Sequence, residues 1–169
     1  MNSPNSLDDF DLARLNGQRD HLLAQKTILI SALDEDGMPE MGVTPMIVVD
    51  GVMFIYPSRL SGHVRALLAR RQGQFMLIED EAKSSNIWAR NRLKFNAEIH
   101  EIARDDPSFD ALCDGFTAAH GPTMQLIRDF TDFHMLRLRP KDGVMVTGFA
   151  KAFALSGDDL TITEHLKQS

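Results

Sequence analysis

Residues 27–56 read TILISALDEDGMPEMGVTPMIVVDGVMFIY, and this stretch decides the fold. Thr27 to Leu33 is a short apolar run rich in branched side chains, and it ends in Asp34-Glu35-Asp36-Gly37. Those four residues supply the side-chain acceptor and the left-handed backbone of a hairpin loop. Met38 to Val49 is then the returning strand. Asp50-Gly51 is a two-residue turn signal, because such a turn needs positive φ at both central positions, and Val52 to Tyr56 runs back again. Three strands joined by tight turns form an antiparallel meander.

Working outward, Ser61 precedes Val64, Leu67 and Leu68, with Arg65, Arg70 and Arg71 mostly on other faces, which predicts a capped amphipathic helix. Phe75 to Ile78 is a fourth strand. Leu93, Phe95, Ala97 and Ile99 alternate with Lys94, Asn96, Glu98 and His100, the pattern of a strand buried on one face. Asp106-Pro107 predicts a helix start, Phe109, Leu112 and Phe116 its apolar stripe, and His120-Gly121-Pro122 its end. A second helix covers Met124 to Phe130. Two last strands, Phe133 to Leu138 and Val144 to Phe153, flank an expected turn at Pro140-Lys141-Asp142-Gly143. At the other end, residues 1–25 form an N-terminal helical segment, with a break expected near Gly17, and residues 156–169 read as a polar C-terminal tail.

The expected fold is therefore mainly β (α+β): a single domain over residues 1–169, a six-stranded antiparallel split β-barrel with peripheral helices. Closure removes the open edges of a small sheet. Side chains fill the interior of so small a barrel, so a large planar ligand belongs outside it, at a groove or subunit boundary. A homodimer is expected for that reason.

Composition narrows the chemistry. No apolar run approaches the roughly 20 residues of a membrane-spanning helix, so no membrane partner is expected. Met1 to Asp11 lacks the basic-then-apolar pattern of a secretory signal, and the expected location is cytoplasmic. Cys113 is the only cysteine, which excludes an intrachain disulfide and a cysteine zinc cage. A net charge of -6 argues against nucleic acid, whose binding depends on Lys and Arg neutralising phosphates. None of His21, His63, His100, His120, His134 and His165 has zinc-site spacing, and neither a nucleophile elbow nor a dinucleotide glycine fingerprint is present.

Basic residues cluster nonetheless: Arg59, His63, Arg65, Arg70 and Arg71, then Arg90, Arg92 and Lys94. Ser58, Ser61, His63 and Arg65 together suit a phosphate or carboxylate, because a guanidinium donates two hydrogen bonds to such a group. A solvated helix face accounts for the same charges equally well.

Several of these segments resemble the flavin-binding split-barrel superfamily: Thr27–Leu33 with its acidic turn, Pro39, Val43-Thr44-Pro45, and Ser58 with His63-Val64-Arg65. A narrower set looks like the haem-utilisation branch of the pyridoxamine 5′-phosphate oxidase-like family. That set is Ile78-Glu79-Asp80-Glu81, Ala89-Arg90-Asn91-Arg92-Leu93, Asp132-Phe133, Arg137-Leu138-Arg139-Pro140 and Gly148-Phe149-Ala150-Lys151-Ala152. The resemblance implies a homodimer with haem or FMN in the cleft between subunits, and an external electron donor if the protein is catalytic. It implies that Ser58, His63 and Arg65 hold the ligand's anionic groups, that Arg90 and Arg92 face it, and that the catalytic residues are Arg92 and Asp132, the latter as a hydrogen-bond acceptor near the ligand. His165 is implied as the haem-iron ligand; without it, haem would be held by its carboxylates and apolar contacts. A haem-degrading oxidoreductase, an FMN-dependent oxidoreductase and a non-catalytic haem carrier all follow from these residues.

Overall fold

The computed structural model describes Leu7 and residues 10–167. The parts of the expected terminal segments at 1–6, 8, 9, 168 and 169 lie outside the described residues. Helix α1 (Leu12–Leu23) is followed by β1 (Thr27–Leu33), β2 (Pro39–Val49), β3 (Val52–Ile55), α2 (Gly62–Arg70), β4 (Gln72–Ile78) and β5 (Arg92–Ile102). Helices α3 (Phe109–His120) and α4 (Thr123–Ile127) then precede β6 (Met135–Val146), β7 (Ala152–Ser156) and β8 (Thr161–Leu166). The strand order is β3-β2-β1-β4-β5-β6-β7-β8, and β3 also pairs with β6. Six strands thus close into an antiparallel barrel, and β7 and β8 extend it. Among the described residues no helix is long and apolar enough to cross a membrane.

The chain divides into two compact units. One comprises Lys26–Phe75 and Ala97–Arg139. It holds the meander, whose register runs from Thr27↔Pro45 to Leu33↔Pro39 and from Met46↔Ile55 to Val49↔Val52. The Asp34 carboxylate accepts from the backbone N–H of Asp36 and Met38 at 2.9 and 2.8 Å, and Asp50 and Gly51 both take positive φ. Both turns therefore form by the chemistry the sequence supplies. Strand β3 pairs with β6 from Met53↔Leu138 to Ile55↔Leu136. A core of Ile47, Tyr56, Phe109, Leu112, Cys113, Phe116, Met124 and Met135 fills the space between β2, β3 and the helices α3 and α4. Helix α3 begins at Phe109 rather than at Pro107, because Asp106 first closes a turn on Ser108.

The other unit comprises Met1–Gln25, Met76–Asn96 and Pro140–Ser169. Helix α1 starts at its Asp11 cap and runs unbroken through Gly17, so the expected break is absent. One exposed helical glycine costs only about 1 kcal/mol, which the packing of Leu15 and Leu22 offsets. The expected turn at Pro140-Lys141-Asp142-Gly143 is also absent. Strand β6 continues to Val146, and the reversal comes at Thr147–Lys151, where the N–H of Thr147 donates to the Lys151 carbonyl at 2.9 Å. Gly143 serves close approach instead of turning: a Cβ there would stand 2.6 Å from the Lys94 carbonyl oxygen on β5. The stretch that reads as a polar tail carries β8, paired with β7 from Ala152↔Leu166 to Ser156↔Thr161. Ile162 and His165 are both buried although three residues apart, because the pairing shifts register between Ala154 and Leu155 of β7 and the extra residue, Thr163, changes which face the strand presents.

Candidate functional site

The residues nominated from the sequence fall into two clusters, one in each unit. In the first unit, Ser58 and Asp132 meet directly. The Ser58 hydroxyl donates to the Asp132 carboxylate in a short hydrogen bond, the Arg59 N–H donates to the Asp132 carbonyl at 2.8 Å, and Ser58 forms a bridge with Phe133. Arg104 holds the neighbouring loop, donating to the carbonyls of Arg128 (2.6 Å), Phe130 and Phe133 (3.2 Å) and to the Tyr56 hydroxyl at 3.3 Å. Nothing in the sequence pattern around Arg104 announces this clamp.

Arg104→Ala is expected to cost about 1–2 kcal/mol, less than buried charge-assisted bonds would, because the side chain is exposed and water replaces part of what is lost. Thermal unfolding checks this, and limited proteolysis should localise the loosening to residues 128–133.

His63 lies at the first turn of α2, half-buried. Burial pushes its pKa below the ordinary imidazole value, and the nearby Glu40 carboxylate opposes this only in part. The native state thus disfavours protonated His63, whereas the unfolded chain protonates freely. Stability should be full above about pH 6.5, the unfolded value, and should fall as pH drops through the lower folded one. A pH series of melting temperatures should show a shallower acid decline in His63→Gln than in the parent.

Ser58 and His63 both line a cleft of about 200 Å³, whose other walls include Tyr56, Phe116, Met124 and Phe133. Arg65 does not line it. Its Nη1 donates to the carbonyls of Arg59 (3.1 Å) and Leu60 (2.7 Å), tying down the loop before α2. Arg70 similarly binds the carbonyls of Leu33 and Asp34 at 3.2 and 2.6 Å. The basic face of α2 serves largely to fasten loops, a role that charge patterning alone does not separate from anion binding.

In the second unit, Arg90, Arg92 and His165 gather. The motif residues clamp one another: Glu79 accepts from the Asn91 backbone at 2.9 Å and the Asn91 amide at 3.0 Å, while Arg90 donates to the Glu79 carbonyl and to Glu81 at 3.3 Å. Arg90 is thereby a fastening residue, and it sets Arg92 at the start of β5. Arg92 donates to the Arg90 carbonyl at 3.1 Å and lines a groove of about 670 Å³. Trp88, Phe149, Lys151, His165 and Lys167 line the same groove. Trp88 is 82 % exposed and Phe149 66 %, so two aromatic side chains stand largely in solvent beside three cations.

His165 is buried at the groove's base. One ring nitrogen, Nε2, lies 2.9 Å from the Ala150 carbonyl and donates to it, and Nδ1 is buried with no hydrogen-bond partner among the described residues. Phe10 and Phe153 flank the ring at centroid distances of 4.5 and 5.1 Å. The sequence pointed to Arg92 and His165 as site residues and to Phe149 and Lys151 only as part of a family motif, and it gave no role to Trp88. The only tryptophan of the chain, set among polar residues, was the available signal.

Comparison with known proteins identifies the family and the fold. The family model for pyridoxamine 5′-phosphate oxidase matches residues 17–147. The heme oxygenase HutZ of Vibrio cholerae is 30 % identical over 144 residues, which is 85 % of this chain and 82 % of that protein. The crystal structure of HutZ, described as a heme storage protein, superposes with a TM-score of 0.68 at 25 % identity, covering 76 % of this chain and 89 % of that one. Campylobacter jejuni ChuZ superposes with a TM-score of 0.82 at 23 % identity and establishes the likeness of fold, covering 94 % of this chain. This chain spans 64 % of the length of the ChuZ chain.

Proposed function

The chain belongs to the pyridoxamine 5′-phosphate oxidase family, and from that premise we propose that it binds haem in the groove of Trp88, Arg92, Phe149 and Lys151, for oxidative degradation with an external electron donor. The observation that carries this reading is the pairing of exposed aromatic rings with cations in one groove. The chemistry fits: a volume of about 670 Å³ lies within the range of small-molecule sites, the aromatic walls suit a conjugated ring, and three cations suit its two carboxylates. When bound, haem supplies an iron at which oxygen can react. The chain's own part is to orient the carboxylates through Arg92, Lys151 and Lys167, and to shed water from the ring through Trp88 and Phe149. His165 supports the groove floor in this reading and is not the iron ligand.

A homodimer belongs to the same proposal. On the meander, Leu29 opposes Val43 and Leu33 opposes Pro39, and Leu33, Met41 and Val43 are exposed side by side. An apolar sheet face of that kind is an association surface. The buried Cys113 thiol, with no disulfide to form, suits the reducing cytoplasm.

The test is titration with haemin followed through the Soret band. The parent protein should shift the band and saturate, and Arg92→Ala combined with Lys151→Ala should weaken binding by about 10- to 100-fold, the loss of one or two charge-assisted contacts. His165→Gln should leave the band position unchanged. If haemin leaves the spectrum as it is in buffer while added FMN loses its fluorescence, the flavin reading replaces this one. Retention of intact porphyrin absorbance when ascorbate is supplied would reduce the proposal to a haem carrier.

A further inference from the structure

Residues 79–91 connect β4 to β5 as a loop whose two ends are tied together. The Glu79 N–H donates to the Asn91 carbonyl at 2.9 Å, and the Glu79 carboxylate accepts from the Asn91 N–H at 2.9 Å and from its side-chain amide at 3.0 Å. The Arg90 guanidinium adds a bond to the Glu79 carbonyl at 3.2 Å. Within the loop, the Lys83 N–H donates to the Asp80 carbonyl at 3.0 Å and the Ser84 N–H to the Glu81 carbonyl at 3.1 Å. At the tip, the Ser84 hydroxyl donates to the Asn86 carbonyl at 3.0 Å, which also accepts from the Ala89 N–H at 3.1 Å. The Asn86 side-chain oxygen accepts from the Trp88 N–H at 3.0 Å. An asparagine bonded to the backbone two residues ahead in this way fixes the turn it stands in.

The residue so presented is Trp88, whose indole stands largely in solvent on one wall of the groove it shares with Arg92 and Phe149. A buried aromatic ring takes its position from the side chains packed around it. An exposed one takes it from its own backbone, with only two side-chain torsions left to set. The hydrogen bonds of the loop therefore do for Trp88 what a core does for a buried ring. Phe149 is carried in a comparable way, on a turn in which the Thr147 N–H donates to the Lys151 carbonyl at 2.9 Å and the Lys151 N–H to the Gly148 carbonyl at 3.2 Å. Both aromatic walls thus have their shape before any ligand arrives.

We propose that Asn86 is a positioning residue which, acting through Trp88, makes the groove select a flat, closed tetrapyrrole over a ring-opened one. The inference rests on the haem reading above and deepens it by separating substrate from product. A preset indole face meets a flat conjugated ring over its whole area and needs no ordering on binding, which favours that ligand. Opening the macrocycle lets its pyrrole rings twist out of one plane, so the same face meets only part of them. Both forms carry the same two carboxylates, and the cations Arg92, Lys151 and Lys167 do not tell them apart. Shape at Trp88 distinguishes them, and it favours release of an opened product.

The experiment uses the full chain and two metal-free probes, protoporphyrin IX and biliverdin, each titrated by absorbance. The parent should bind protoporphyrin IX about tenfold more tightly than biliverdin. Asn86→Ala should reduce that ratio by about 3- to 10-fold, the worth of one aromatic contact, and Trp88→Ala should reduce it to a similar degree. Asn86→Asp keeps the side-chain oxygen that accepts from Trp88 and should restore the parent ratio. Trp88 is the only tryptophan of the chain, so its time-resolved fluorescence anisotropy reads the loop with no tetrapyrrole present. Asn86→Ala should show greater nanosecond depolarisation than the parent, and Asn86→Asp should not. Equal affinities of the parent for the two probes, or a ratio or an anisotropy decay that Asn86→Ala leaves unmoved, would overturn the inference while leaving the haem reading standing. Failure of the parent to bind either probe would remove the haem reading, and this inference with it.

Discussion

Tyr56→Ala is expected to destabilise the protein by about 3–5 kcal/mol, lowering the melting temperature by roughly 6–20 °C. Tyr56 is 4 % exposed and central to the core that carries α3 and α4. Its ring meets Phe109, Phe116 and Phe133, and removing it leaves a cavity that none of these rigid rings can fill by rotating a bond or two. Tyr56→Phe isolates the hydroxyl. It keeps the packing but leaves the Arg128 carbonyl and the Arg104 guanidinium without this partner, at a cost of about 1–2 kcal/mol.

The alkaline limb tests the same contact. Burial raises the Tyr56 pKa, an effect that Arg104 reduces only in part. Stability from the neutral phenol is therefore full below about pH 10, the unfolded value, and is lost as pH rises through the higher folded one. That alkaline loss should be smaller in Tyr56→Phe. Equal melting temperatures for Tyr56→Ala and Tyr56→Phe would refute the packing argument.

The second large effect is expected at Gly143. Its substitution by alanine should cost about 2–4 kcal/mol, because the added methyl meets backbone rather than a movable side chain. The nearest atoms are the Lys94 carbonyl oxygen at 2.6 Å, Phe95 Cβ at 2.9 Å and Phe95 Cα at 3.2 Å. Strand β5 would have to move, and Phe95, one of the largest fully buried side chains, moves with it. Gly42→Ala offers the contrast: the atoms there belong to the His63 ring, which can swing aside, so stability should fall little while the cleft changes. A Gly143→Ala variant that melts within about 2 °C of the parent would show that the close approach carries no weight.

The sequence was informative where local chemistry and tertiary demand agree. From Thr27 to Tyr56 the alternation of faces, the Asp34 acceptor and the Asp50-Gly51 pair all specify strands and turns within a few residues of one another, and the structure has them. Pro140-Lys141-Asp142-Gly143 shows the opposite case. Its composition is that of a turn, yet pairing of Asp142 with Ser156 and Gly143 with Leu155 holds it in β6. Glycine and proline mark both reversals and close approaches, and only the neighbouring strand distinguishes them.

The candidate sites divide in the same way. The residue types at Ser58, His63, Arg92 and Asp132 were legible as polar groups able to meet a ligand, but Arg65, Arg70 and Arg90 looked the same and are bound to backbone carbonyls. Which guanidinium faces a ligand and which fastens a loop depends on where carbonyls end up, a fact of packing that residue spacing does not contain. Alone, the amino-acid order determined the meander, the turn chemistry and the family. The folded chain decided that His165 is enclosed by two phenyl rings, that Trp88 and Phe149 stand in solvent, and that Gly42 holds an imidazole. Hydrogen bonding and steric exclusion between residues far apart in sequence settle each of these.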